Sequence, residues 1–148
     1  MALKASTGLR DKLMVTGSLK SLLDGGLIKI YSGAVPAAAD DALGASVLLC
    51  TISNNSAGTG ITFATTTASA GVAQKTVAEV WSGVNAASGT ASFYRHVAVA
   101  DDGTLSTTQA RLQGAVAVAG AELNLSSVAL VSAATQTVDF YNVALPTL

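Results

Sequence analysis

One cysteine, one histidine, one tryptophan and two prolines are all that 148 residues contain of those types, and charge is scarce as well. With Cys50 alone, no intrachain disulfide can form and the paired-cysteine metal sites are excluded. A single histidine, His96, leaves a zinc site of nitrogen and sulfur ligands without its donors, so no metal ligands are expected. Charged residues make up 11% of the chain, where about 25% is usual. Aromatic residues make up only 5%, yet half the chain is apolar and mean hydropathy is +0.50. Ser, Thr, Gly and Asn must therefore carry the surface, which lacks the mixed charge that holds monomers apart. Partners are expected to cover much of it.

Long apolar runs are missing too. No stretch approaches the roughly 18 consecutive apolar residues of a membrane helix, and the start lacks the basic, apolar and small-residue order of a secretory signal. We expect no membrane partner and no secretion by that route. Asn54-Asn55-Ser56 and Asn124-Leu125-Ser126 then read as chance matches to the glycosylation pattern. Net charge is −1, but residues 1–29 hold five basic residues (Lys4, Arg10, Lys12, Lys20, Lys29) against Asp11 and Asp24, giving +3 there and −4 beyond. Charges interleaved with leucines fit a solvated helix face better than a nucleic-acid surface. No basic patch with interleaved aromatics follows, and direct nucleic-acid binding is not expected.

What is present is period-two patterning. Residues 1–26 form the one helical candidate, with Leu9, Leu13, Leu19, Leu22 and Leu23 at mixed helical spacings, Gly17 as an interruption and Gly25-Gly26 as a stop. They predict one or two short helices, capped by Thr7 and Ser18, or an arm ordered against a neighbour. From Leu27 strands follow: 27–32, 47–52, 61–64, 74–81, 89–100, 110–118, 122–125, 128–131 and 135–143. Loops separate them, 33–44 with Pro36 and Asp40-Asp41 among them. No sequence period suggests a repeat fold. The fold class expected is all-β: an antiparallel β-sandwich or jelly roll of about eight strands with a short N-terminal helical arm, residues 1–26 forming the arm and 27–148 the β-body. The candidate core is Ile28, Ile30, Leu48, Phe63, Trp81, Phe93, Val97 and Phe140. The strand from Gly89 to Ala100 is expected to be central, with Phe93, Arg95 and Val97 on one face, Tyr94 and His96 on the other, and 135–143 as its neighbour.

Chemistry is hard to find. His96 is the sole candidate base, on the face opposite Arg95, and a satisfied or interface histidine is expected rather than a catalytic one. Cys50 falls in an apolar strand where a thiolate is disfavoured, so it reads as structural. Asp40-Asp41 and Asp101-Asp102 lack the alternating oxygen ligands of a calcium loop and read as solvated turn formers. Gly58-Thr59-Gly60 lacks the lysine and helix of a phosphate loop. No catalytic residue and no cofactor is assigned, and the chain is read as non-enzymatic.

Several strings resemble small virion structural proteins of tailed bacteriophages: Leu3 to Arg10, Gly17 to Gly33, Pro36 to Ala42, Trp81 to Gly83, Ala87 to Arg95 and Asp101 to Thr108. The set spans nearly the whole chain, and within the class it looks most like the jelly-roll cement, or head-decoration, proteins of short-tailed phages. That resemblance implies a protein made in the host cytoplasm and placed on the outer surface of the virion head. It implies the major capsid protein and a second copy of itself, in a homodimer or other homo-oligomer, as partners, with neighbouring capsid subunits tied together. The arm residues Leu3, Lys4, Leu9, Arg10, Lys12 and Leu13 are the candidate capsid contacts, and a strand edge paired across a dimer is the other expected interface. The alternatives are another virion position (tail, collar or baseplate) and a receptor- or carbohydrate-binding β-sandwich using Trp81, Tyr94 and Tyr141.

Overall fold

A computed structural model describes residues 2–65 and 71–144. Most of the Thr/Ala/Ser stretch expected before Gly71, and Pro146 with its neighbours, lie outside the described residues. The chain is β-rich and antiparallel, with two short helices near its start. Its elements are β1 (Lys4–Ala5), α1 (Thr7–Val15), α2 (Leu19–Leu23), β2 (Leu27–Ser32), β3 (Val47–Asn54), β4 (Val72–Gln74) and β5 (Trp81–Val84). They continue as β6 (Gly89–Thr90), β7 (Phe93–Val97), β8 (Arg111–Ala117), β9 (Leu123–Asn124), β10 (Ala129–Leu130), β11 (Thr135–Thr137) and β12 (Asn142–Ala144).

The large sheet runs β1-β8-β7-β2-β3-β5-β11, with β9 pairing parallel to the far end of β8. Strands β6 and β10 form one small sheet, and β4 and β12 another. At the centre, antiparallel register lines up Lys29, Arg95 and Gln113 on one face, flanked by Leu27, Val97 and Arg111 and by Tyr31, Phe93 and Ala115. The opposite face carries Ile28, His96 and Leu112, then Ile30, Tyr94 and Gly114. That second face is the inner one. Ile28, Ile30, Tyr94 and Leu112 join Leu9 and Leu23 from the helices, and Trp81, Leu130, Tyr141 and Val143, in one buried cluster. Gly114 makes room for this packing: a Cβ there would stand 2.7 Å from the Tyr94 ring.

Both helices start where a serine can take up free amides. Ser6, not Thr7, caps α1, its Oγ accepting the Leu9 N–H at 3.1 Å. Ser18 caps α2, and Ser21 returns the bond in a capping box. The first 26 residues are stitched to the body, because β1 pairs with β8 and both Leu9 and Leu23 are buried in the common core.

Four strand expectations are corrected, the first being 61–64, which forms only isolated bridges, Ile61 to Gly26 and Phe63 to Lys75. The 89–100 segment splits at Ala91-Ser92, where the chain leaves the small sheet (β6) and enters the large one (β7). The 135–143 segment also splits: Val138 and Tyr141 turn into the core, β11 pairs with β5 and β12 with β4, so it does not neighbour β7. Trp81 opens a strand instead of ending one, since the Glu79 carboxylate accepts from Thr62 N–H, Thr62 hydroxyl and the Trp81 indole and the chain turns at 77–79. Among the expected core residues, Ile28, Ile30, Phe63, Trp81, Phe93 and Val97 are buried. Leu48 and Phe140 are not. Register shifts between Ile30 and Tyr31, which pair with Cys50 and Leu48, so Leu49 is buried and Leu48 is left 37% exposed. Phe140 follows the inward Val138 and precedes the inward Tyr141, and it stands 84% exposed.

Candidate functional site

The Arg/His pair of β7 divides between two environments. Arg95 points to the outer face, where Lys29, Arg111 and Gln113 stand beside it in register. Its Nε–H donates to Gln113 Oε1 at 2.8 Å, and Nη2 donates to the carbonyls of Ala38 (3.3 Å) and Asp41 (2.9 Å). Arg111 donates to both Asp101 oxygens, at 2.6 and 3.0 Å, and reaches the Ala39 and Asp40 carbonyls. Gln113 Nε2 donates to the Pro36 carbonyl, and Lys4 Nζ to that of Ala37. Six successive carbonyls, from Pro36 to Asp41, thus accept from side chains of the sheet. Asp40 adds a clasp by accepting from the N–H and hydroxyl of Thr7, in the first turn of α1. The loop 33–44 is therefore a strap bound across the polar face.

Burial makes this cluster structural. Arg95 is 1% exposed and Arg111 fully buried. Arg95 has no carboxylate among its hydrogen-bond partners and its Nη1 has none at all, so burial, and then the neighbouring Arg111 charge, hold its pKa down. Burial likewise pushes the Tyr31 phenol up to about 12, where it stacks on Phe93 at 5.1 Å. Asp101, expected as a solvated turn former, is 4% exposed and pairs with Arg111. No sequence signal marked that pair, since the residues lie ten apart across a loop. Asp102 fits the expectation, exposed and bonded to Thr104.

His96 points inward. Its Nε2–H donates to the Leu23 carbonyl at 3.1 Å, Nδ1 has no partner, and the ring packs on Phe63 and Tyr141. Burial lowers its pKa to about 4. Cys50 is fully buried, its thiol pushed up to about 11. Among the described residues no serine or cysteine is hydrogen-bonded to His96, and no group of three His, Cys, Asp or Glu side chains could hold a metal ion. The residues named for a sugar platform are also interior: Trp81 is 1% exposed, Tyr94 0% and Tyr141 2%.

The accessible feature is apolar. Leu3, Leu9 and Leu13 of the expected contact set line an open groove of about 180 Å³ with Ala5, Leu19, Leu112, Val143 and Ala144. Leu9 forms its buried floor and Leu13 stands half-buried at its side. Arg10 is exposed and Lys12 half-buried on the same helix, while Lys4 is drawn away to the strap. Further large apolar side chains stand in solvent, among them Met14 (85%), Val15 (86%) and Val77 (97%). Among the described residues no helix is long and apolar enough to cross a membrane. No protein-family model, curated protein or solved structure matches this chain.

Proposed function

We propose that the chain is a non-enzymatic cement protein of a tailed-phage head, binding the outer face of the icosahedral shell and tying neighbouring major capsid subunits together. The observation that carries this reading is the leucine groove lined by Leu9 and Leu13 of α1, the helix that also carries Arg10 and Lys12, on a chain with 11% charge and large apolar side chains left in solvent. Such a surface suits contacts that are each modest and many times repeated, because a lattice multiplies weak contacts. On this reading the β-body is a sandwich of jelly-roll type. Leu130 of β10 and Val143 of β12 support it, since both enter the same core as Ile28 and Ile30 of the large sheet. A second copy would join along β11, the end of the large sheet's path, whose Thr135-Gln136-Thr137 edge carries no charge to repel a partner strand. The test is to add the purified chain to bare heads: cement activity raises the temperature or osmotic stress at which they rupture, and unchanged rupture rejects the reading.

A further inference from the structure

Phe140 is the largest apolar side chain in solvent and the one exposed aromatic ring among the described residues. It borders a shallow cleft of about 140 Å³ with Val77, Gln74, Lys75, Asp139 and Asn142. The β4–β12 register sets Gln74 directly opposite Asn142, so two side-chain amides lie next to each other beside the ring. Among the described residues, neither amide nor the Asp139 carboxylate makes a side-chain hydrogen bond within the protein. Lys75 differs: its ammonium is spent on the Thr76 and Glu79 carbonyls, and only its stem remains for the cleft.

We infer that this cleft binds a neutral saccharide, one pyranose ring lying on Phe140 with its hydroxyls held by Gln74, Asn142 and Asp139. An open aromatic face takes the C–H side of a sugar ring, planar amides donate to and accept from neighbouring hydroxyls, and a carboxylate accepts from them. The ligand is neutral because the cleft's two charges, the Asp139 carboxylate and the Lys75 ammonium, are of opposite sign and leave no net charge to favour an acidic or basic sugar, and the ammonium donors are already taken by the Thr76 and Glu79 carbonyls. The cleft is smaller than the roughly 300 Å³ at which drug-sized pockets begin. It therefore holds one ring and leaves the rest of an oligosaccharide in solvent, with affinity of the order of millimolar per site. The cleft shares no lining residue with the leucine groove, so this inference does not rest on the cement reading.

The test is a titration of the isotope-labelled full chain, followed by amide NMR, with maltohexaose, cellohexaose, chitohexaose and, as an anionic control, a heparin hexasaccharide. At least one neutral sugar should produce saturable shifts in the Gln74 and Asn142 side-chain amides at millimolar concentration. Phe140→Ala should weaken that binding about tenfold or more, equivalent to about 1.4 kcal/mol, with an unchanged melting temperature because the ring is exposed. No saturable shift with any neutral sugar, shifts that persist in Phe140→Ala, or a preference for the heparin fragment would each overturn it. So would a Phe140→Ala chain that no longer adds to heads while the parent binds no sugar, which would make Phe140 a protein anchor.

Discussion

Arg95 and Gln113 face each other across the β7–β8 pair, and the glutamine joins the arginine Nε–H on one side to the Pro36 carbonyl on the other. Gln113 is thus the link between a buried guanidinium and the strap that covers it. Gln113→Leu keeps the volume but removes the acceptor from Arg95 and the donor from Pro36. Leaving a buried charged donor unpaired costs about 2–3 kcal/mol. Urea denaturation should show that loss, with faster amide exchange in residues 34–42; unchanged stability would mean that the strap holds without this link.

The Arg111–Asp101 pair is more demanding. Both side chains are withdrawn from water, and the carboxylate also accepts the Gly103 N–H that shapes the turn. Asp101→Asn should destabilise the fold by about 3–5 kcal/mol, because removing one partner strands the other charge. Restoring apolar packing at both sites, with Asp101→Leu and Arg111→Met together, should recover much of that loss. Failure of the double variant to improve on the single one would show that the strap carbonyls held by Arg111 matter more than the ion pair.

Acid should weaken the protein through His96. Its folded pKa is depressed from 6.5 to about 4 by burial, so the unfolded chain takes up the proton first. The stabilisation is complete above pH 6.5 and is lost as pH falls from 6.5 towards about 4, amounting to about 3 kcal/mol over that window. His96→Phe keeps an aromatic ring between Phe63 and Tyr141 but carries no proton. Its stability at neutral pH should drop for want of the Leu23 bond, while its loss between neutral pH and the acid end should be smaller than the parent's. Equal acid losses in both chains would remove His96 as the source.

The sequence makes the β-rich class and the central position of β7 legible, because the alternation of Phe93, Arg95 and Val97 with Tyr94 and His96 is sustained and both sets need partners. It also marks the helix starts to within a residue, since capping is local chemistry. Leu48 and Phe140 are beyond its reach for a shared reason. A register shift redirects a side chain without altering composition, and a strand that changes sheets exposes residues that a continuous strand would bury. The strap was legible only as a loop: its attachment runs through backbone carbonyls, which every residue has, so no side-chain pattern in 36–41 announces it.

The leucines at the N-terminus separate a folding role from a docking role. Leu9 is fully buried, and Leu9→Ala should destabilise the isolated chain by about 2–5 kcal/mol whatever it binds. Deleting residues 1–26 should yield insoluble protein, because it strips β1 from β8 and uncovers the inner face around Leu112 and His96. Leu13 is half-buried at the groove, and Arg10 is exposed beside it. On the cement reading, a Leu13→Asp, Arg10→Glu chain should stay folded and soluble, with its melting temperature lowered by the loss of the Leu13 packing against the core, yet bind bare heads at least tenfold more weakly than a Leu13→Ala chain, since it places charge where an apolar contact must be desolvated. Sedimentation of heads with labelled chain reads this directly. Undiminished binding would leave the groove without a part in docking and transfer the contact to other exposed apolar residues such as Met14 and Val15.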